Sequence, residues 1–385
     1  MSKKQTKQKL IAIFGGAGIS LFLVIIIAGL CFCWRRFKRK MNRTFDAESS
    51  FQSTSADWHR VVPKNAVSLS TLDSNNLLHF RLSDLEHATA NFSESSVIGE
   101  GEFGKVYKGL LTDGTIVSIK RRFRLPIQSL SHMVKSNACI RHKHLLKLVG
   151  LGQESHQQFL VYDYLLNQDV GKHLYDDEGV PIGKLDMNQR LLIAIGAAKG
   201  LEHLHSFRPP ILHMHFRTSN VLIDENFTAK VSDFGTFGLL VEEGYAFPSR
   251  STDCFLDPEL KSYKVFSSES DVYSFGVFLL EMISGRKAIP ENQSKAEQSL
   301  VSQAKNVRHI ADFVDKKLRH NRSSSQAVKL LFDLAMLCID TNITRRPSMK
   351  TVVHELEMIH RAIKSCCASN QEMANVTLGS VLFES

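Results

Sequence analysis

Four groups of residues in this 385-residue chain have side chains and spacings suited to phosphate chemistry. Gly99-Glu100-Gly101-Glu102-Phe103-Gly104 leaves three positions without a Cβ, so backbone N–H groups there can come close to an anion. Lys120, sixteen residues after Gly104, ends the strand-like run Val117-Ser118-Ile119-Lys120 and offers a positive charge. Lys230-Val231-Ser232-Asp233-Phe234-Gly235 offers a carboxylate. Thirteen residues before Asp233 stands Asn220, the end of His213-Met214-His215-Phe216-Arg217-Thr218-Ser219-Asn220. That segment has two imidazoles and no acid, because no Asp or Glu lies between Glu202 and Asp224. Singly, each group is ordinary: a strand lysine is usually solvated surface, and Asp-Phe-Gly is usually a turn. Their order along one chain is what carries meaning.

The elements around them narrow the reading. A dinucleotide-binding glycine loop opens a helix. Here Lys105-Val106-Tyr107-Lys108 alternates like a strand, Thr112-Asp113-Gly114-Thr115 reads as a hairpin turn, and Ile116 to Lys120 is the return strand. A further strand is expected at Phe159-Leu160-Val161-Tyr162. Beyond residue 170 the period becomes helical. Leu191, Leu192, Ile195, Ala198, Leu201 and Leu204 share one face, as do Val272, Phe275, Leu279, Leu280 and Ile283, and Val328, Leu331, Leu334, Ala335 and Cys338. Ser83-Asp84-Leu85-Glu86 predicts a capping box opening a short helix to about Ala90. A strand-rich front and a helix-rich back predict an α+β protein of two lobes.

The formal net charge of +9 is local. Residues 1–43 hold ten Lys or Arg and no acid, and the rest has 38 basic against 39 acidic side chains. A nucleic-acid-binding domain would need a basic face of its own, so no nucleic-acid partner is expected. The basic residues flank Ile11–Trp34, a stretch of 24 residues without formal charge. About twenty apolar residues span a bilayer core, and this run ends in the stop-transfer flank Cys33-Trp34-Arg35-Arg36. Six basic residues follow the span and four precede it, which predicts a cytoplasmic C-terminal side. Residues 35–43 would lie against anionic lipid. The expected organisation is an outer N-terminus at 1–10, a transmembrane helix at 11–34, and a basic, flexible linker at 35–79. A folded domain follows at 80–362, then a disordered tail at 363–385. Seven cysteines without CxxC or metal spacing suggest free thiols in a reducing cytosol.

Taken together, the motifs resemble the cytosolic part of a plant receptor-like kinase of the RLK/Pelle family. Phe80 to Phe92 resembles the segment that precedes such domains. Ala197-Ala198-Lys199-Gly200-Leu201-Glu202-His203-Leu204-His205 resembles the helix before the catalytic loop. Asp257-Pro258-Glu259 resembles the A-P-E motif, Ser270 to Val277 the helix that supports the catalytic loop, and Arg345-Arg346-Pro347-Ser348-Met349 the late Arg motif. The resemblance covers about residues 80–362 and implies a bilobal protein-kinase fold, N-lobe about 92–165 and C-lobe about 166–362. It implies ATP held by Gly99, Gly101, Gly104, Val106, Lys120 and Arg217 and by the hinge at Asp163 and Leu165, with Tyr162 as gatekeeper. It implies Mg2+ held by Asn220 and Asp233. Residues 236–256 would be the activation segment, with Ser249, Ser251 and Thr252 as candidate phosphosites, and Arg346 would pair with Glu259.

Three positions depart from that family's pattern. In H-R-D-L-x-x-x-N the Asp accepts the substrate proton, and His215 stands in its place. The helix Glu that pairs the strand Lys falls on Met133, and residues 121–153 contain no acid. Met214 replaces the Arg that receives an activation-segment phosphate. Arg217 for Lys and Cys254 for Gly are further changes. The resemblance thus implies a degenerate member that keeps nucleotide-holding residues and works at the plasma membrane through an active receptor-like kinase or co-receptor. A weakly active Ser/Thr kinase is the alternative.

Overall fold

In the computed structural model the described residues are 77–101, 104–123, 140–154, 156–236, 253–260, 265–288, 299–319 and 322–381. The expected span at 11–34 lies outside them. Among the described residues no helix is long and apolar enough to cross a membrane.

The front half forms a six-stranded sheet. Its strands are β1 (Leu78–His79), β2 (Val97–Gly101), β3 (Gly104–Leu110), β4 (Ile116–Phe123), β5 (Leu148–Glu154) and β6 (Gln157–Asp163), in the order β1-β5-β6-β4-β3-β2. Only β1–β5 is parallel. The β3–β4 hairpin closes at the expected turn. Gly114 has φ +85°, and Thr115 N–H donates to Asp113 Oδ1 at 2.9 Å. Because strand side chains alternate, Val117, Ile119, Phe159 and Val161 face one way and pack with Leu85, Phe92 and Tyr107. Lys120, Ser118 and Val106 belong to the other face, opposite Leu160 and Tyr162. The hydrophobic alternation thereby aims the strand lysine at the cleft.

The back half is built round α3 (Met187–His205), α4 (Ser268–Ser284), α7 (Arg322–Cys338) and α8 (Met349–Val381). Four-to-six-residue helices α2 (Gly171–Leu174), α5 (Leu300–Lys305) and α6 (Ile310–Phe313) fill the gaps. A reciprocal capping box opens α3: Gln189 N–H donates to Asp186 Oδ1 at 2.8 Å, and Asp186 N–H to Gln189 Oε1 at 3.0 Å. Gly285 closes α4 at φ +66°, the left-handed conformation that ends a helix without a Cβ clash. From Ser270 to Ser284, α4 is buried on every side, not on one face only. Against α3 stands the hairpin β7 (Val221–Ile223) and β8 (Ala229–Val231), tied to the loop before β5 by Leu146 N–H to Val231 O at 2.8 Å.

Some sequence expectations need correction. Order within the described residues begins at Leu78, inside the expected 35–79 linker, because β1 finds an edge partner in β5. The first helix, α1 (Leu82–Ala88), is capped at Arg81 rather than Ser83: Arg81 N–H reaches Asp84 Oδ2 at 3.3 Å. Leu192 is 44% exposed, while the rest of its predicted face is buried. In the structure α8 runs on past residue 362 to Val381. Residues 363–378 contain neither Pro nor Gly to end it. Arg346 pairs not with Glu259 but with Asp257, through Nη1–Oδ2 at 2.6 Å and Nη2–Oδ1 at 2.9 Å, both side chains fully buried.

Candidate nucleotide site

The segment His213 to Asn220 is held from below by α4. Asp271 accepts the backbone N–H of His213 and of Met214, each at 2.8 Å, and faces His205 Nε2 at 2.9 Å. Met214 adopts φ +64°, a left-handed conformation uncommon for a side chain of its size. Phe216 is fully buried against Phe275 and Phe278, at centroid distances of 5.6 and 5.5 Å. His213 Nε2 lies 2.9 Å from Ser232 O. A carbonyl only accepts, so Nε2 carries the proton, and the buried Nδ1 has no hydrogen-bond partner. Burial keeps this imidazole neutral, with its pKa lowered.

Asn220 completes the turn. Its Nδ2 donates to His215 O at 2.9 Å, and its backbone carbonyl accepts Ser232 N–H at 2.8 Å. Those bonds bring Asn220 next to the strand that leads into Asp233. Asp233 has φ +64°, and its Oδ1 is bonded to Lys120 Nζ. Lys120 also lies 5.9 Å from the centre of the Tyr162 ring. The structure therefore brings Lys120, Tyr162, Asn220 and Asp233 together at one cleft.

The glycine loop divides into two kinds of position. An added Cβ at Gly99 or Gly101 would meet nothing within 4 Å, which leaves a cradle open over the site. Gly104, at φ +131°, would drive a Cβ into the carbonyl oxygen of Arg121. Glu102 and Phe103 lie outside the described residues, as do Met133, Ser249, Ser251 and Thr252. Val106 pairs with Lys120 across the sheet, and Leu165 packs against the apolar cluster that contains Tyr162.

His215 is half-buried, and its pKa is held well below the usual histidine range. Burial is the main cause, followed by the positive charge of Arg217, the proximity of the His213 ring and the positive charge of Lys120. It is a neutral ring in which gaining a proton is disfavoured. Arg217 is anchored to Asp253, Nη2 to Oδ2 at 2.6 Å, and Thr218 is bonded to Glu281. Burial raises Glu281 to about 7, against the pull of Thr218, Ala288 N–H and Arg217.

Three residues escaped the sequence reading. Leu222 joins Tyr162 and Leu165 in one apolar cluster, and its place two residues after Asn220 was the available signal. Asp253 and Glu281 lie 36 and 63 residues from their partners, with nothing local to announce the pairing. Ser118 Oγ donates to Asp163 O at 3.4 Å in the hinge.

The donor set fits the groups implied. One carboxylate and one amide oxygen are hard ligands that suit Mg2+, and the open cradle with Lys120 suits the phosphates of ATP.

A model for protein tyrosine and serine/threonine kinases matches residues 92–356. The chain belongs to that family. It is 34% identical over 356 residues to the probable serine/threonine-protein kinase PBL28 of Arabidopsis thaliana, covering 84% of this chain and 92% of that one. It is 34% identical over 351 residues to the receptor-like protein kinase ANXUR2 of the same plant, covering 86% of this chain but 40% of the relative. Among solved structures it resembles the pseudokinase domain of BIR2, described as an immune regulator of the RLK/Pelle family. That match has 31% identity and a TM-score of 0.61, over 73% of this chain and 86% of the other. The bilobal α+β kinase fold and the kinship with plant receptor-like Ser/Thr kinases are thereby established.

Proposed function

We propose that this kinase-family chain is a membrane-anchored pseudokinase that binds ATP with Mg2+ and signals through an active receptor-like kinase or co-receptor. The observation that carries the reading is His215. A general base contributes about 10²–10⁴ in rate, and here the base position holds a ring whose charged form is disfavoured by burial and by the cations Arg217 and Lys120. Met133 and Met214 remove two further parts of the family's machinery. Gly99, Gly101, Gly104, Val106, Lys120 and the hinge at Asp163 and Leu165 would hold the nucleotide, and Asn220 and Asp233 the metal, which would neutralise phosphate charge. Apolar residues 11–34 and basic residues 35–43 support a single pass through the plasma membrane, with the kinase domain cytoplasmic.

A second reading, a weakly active Ser/Thr kinase, is favoured by the neutrality of His215, since a neutral imidazole can accept a proton. The two separate on magnesium-dependent phosphate transfer by the full chain, to itself and to a basic peptide. Turnover near 1 s⁻¹, about the low end for kinases, would sink the pseudokinase reading. Melting with and without MgATP tests the nucleotide site, which is refuted by an unmoved midpoint at saturating nucleotide.

A further inference from the structure

Arg217 is the cation of the catalytic loop, and it already has an anion. Its Nη2 donates to Asp253 Oδ2 at 2.6 Å, with side-chain exposures of 27% and 23%. Asp253 is fixed in that pose. Its Oδ1 accepts Phe255 N–H at 3.0 Å in an Asx turn, which leaves Oδ2 for the guanidinium. The guanidinium lies 5.5 Å from the centre of the Phe255 ring, so the same short segment holds Arg217 by charge and by stacking. Arg217 Nε is buried without a hydrogen-bond partner and cannot turn to a new ligand without moving the whole fork. Glu281 lies near enough to sense the same positive charge. An arriving anion therefore meets one cation already facing one close carboxylate and a second acid nearby.

We propose that Asp253 occupies Arg217 as an internal anion, so that the cleft holds a nucleoside diphosphate as tightly as the triphosphate. This rests on the nucleotide-binding reading above and adds which phosphates the site rewards. Lys120 and the glycine cradle remain for the inner phosphates. The outermost phosphate would have to displace a pre-organised carboxylate, and it gains little by doing so. A protein that does not distinguish the two nucleotides does not need turnover to keep its site filled.

The test is calorimetric titration of the full chain in detergent with ADP and with ATP, at equal magnesium, for the wild type and for Asp253→Asn. Asparagine keeps an oxygen for the Asx turn and removes the charge. The wild type should bind the two nucleotides within about threefold of each other. Asp253→Asn should favour ATP by about tenfold, the scale of one charge-assisted hydrogen bond regained, and adding Arg217→Gln to it should erase that gain. A wild type that already prefers ATP by that factor overturns the proposal, and so does an unchanged ratio in Asp253→Asn. Failure of both nucleotides to bind any of the three proteins refutes the nucleotide site itself. Binding with the wrong ratio refutes only the role of Asp253.

Discussion

Lys120 Nζ is bonded to the carboxylate of Asp233, 113 residues further along the chain. The pair spans the cleft between the sheet and the helical lobe, and its side chains are only 14% and 20% exposed. A kinase lysine usually shares itself between a helix glutamate and phosphate, and residues 121–153 of this sequence contain no Asp or Glu. With that partner absent, the lysine's charge is met from the opposite lobe.

Removing Lys120 should therefore act on stability as well as on binding. Lys120→Ala leaves Asp233 largely buried without its cation and should cost about 2 kcal/mol, a melting point lower by a few degrees. The MgATP-induced rise should vanish with it. Melting curves for both proteins, with and without nucleotide, would show this, and an undisturbed midpoint would mean that the pair contributes nothing.

His215→Asp restores a carboxylate at the base position, and Met133→Glu offers Lys120 its usual partner. Phosphate transfer should rise by about 10² or more in the double variant, within the range attributed to a general base. Radiolabel transfer to a basic peptide measures it. No gain would place the defect elsewhere, with Met214 and Cys254 the next positions to restore.

The displaced Arg346 pair predicts unequal effects at neighbouring acids. Asp257→Asn leaves a buried guanidinium without its bidentate partner and should cost about 3–5 kcal/mol. Glu259→Gln should cost less than about 1 kcal/mol, as for an exposed or half-exposed charge. Urea unfolding of the two variants tests the order, and the reverse order would restore Glu259 as the partner.

The glycine loop should separate into structural and ligand-facing positions. Gly104→Ala forces a Cβ into Arg121 O at φ +131° and should lose about 1–3 kcal/mol of stability. Gly99→Val and Gly101→Val meet open space in the free protein. They should leave the melting point nearly unmoved and weaken nucleotide binding, and titration calorimetry beside melting distinguishes the two effects.

Acid should loosen the fold through His142. Its ring stacks on His203 at 4.6 Å, and burial, then the charges of His203, His144, Lys199 and Lys230, push its pKa from 6.5 to about 4. The unfolded chain takes up a proton at higher pH than the folded one does. Stability is thus complete above pH 6.5 and is lost as the pH falls toward 4. His142→Phe keeps a flat ring on His203 and should show a smaller drop in urea midpoint between about pH 7.5 and about pH 5. Equal drops in the two proteins would remove His142 from the account.

The sequence alone determined the two-lobed α+β kinase fold. Strand alternation aims Lys120, helical periods mark α3, α4 and α7, and motif spacing identifies Asn220 and Asp233. These signals are local, because period and spacing come from backbone geometry and recur within a few residues. Tertiary structure alone decided the electrostatics. That Lys120 meets Asp233, that Arg217 meets Asp253 and that Arg346 chooses Asp257 over Glu259 depend on partners 36 to 113 residues away, and that His215 is held neutral depends first on burial. A charge's partner is set by which side chains the packed core brings within a few ångströms, and no local pattern encodes that distance.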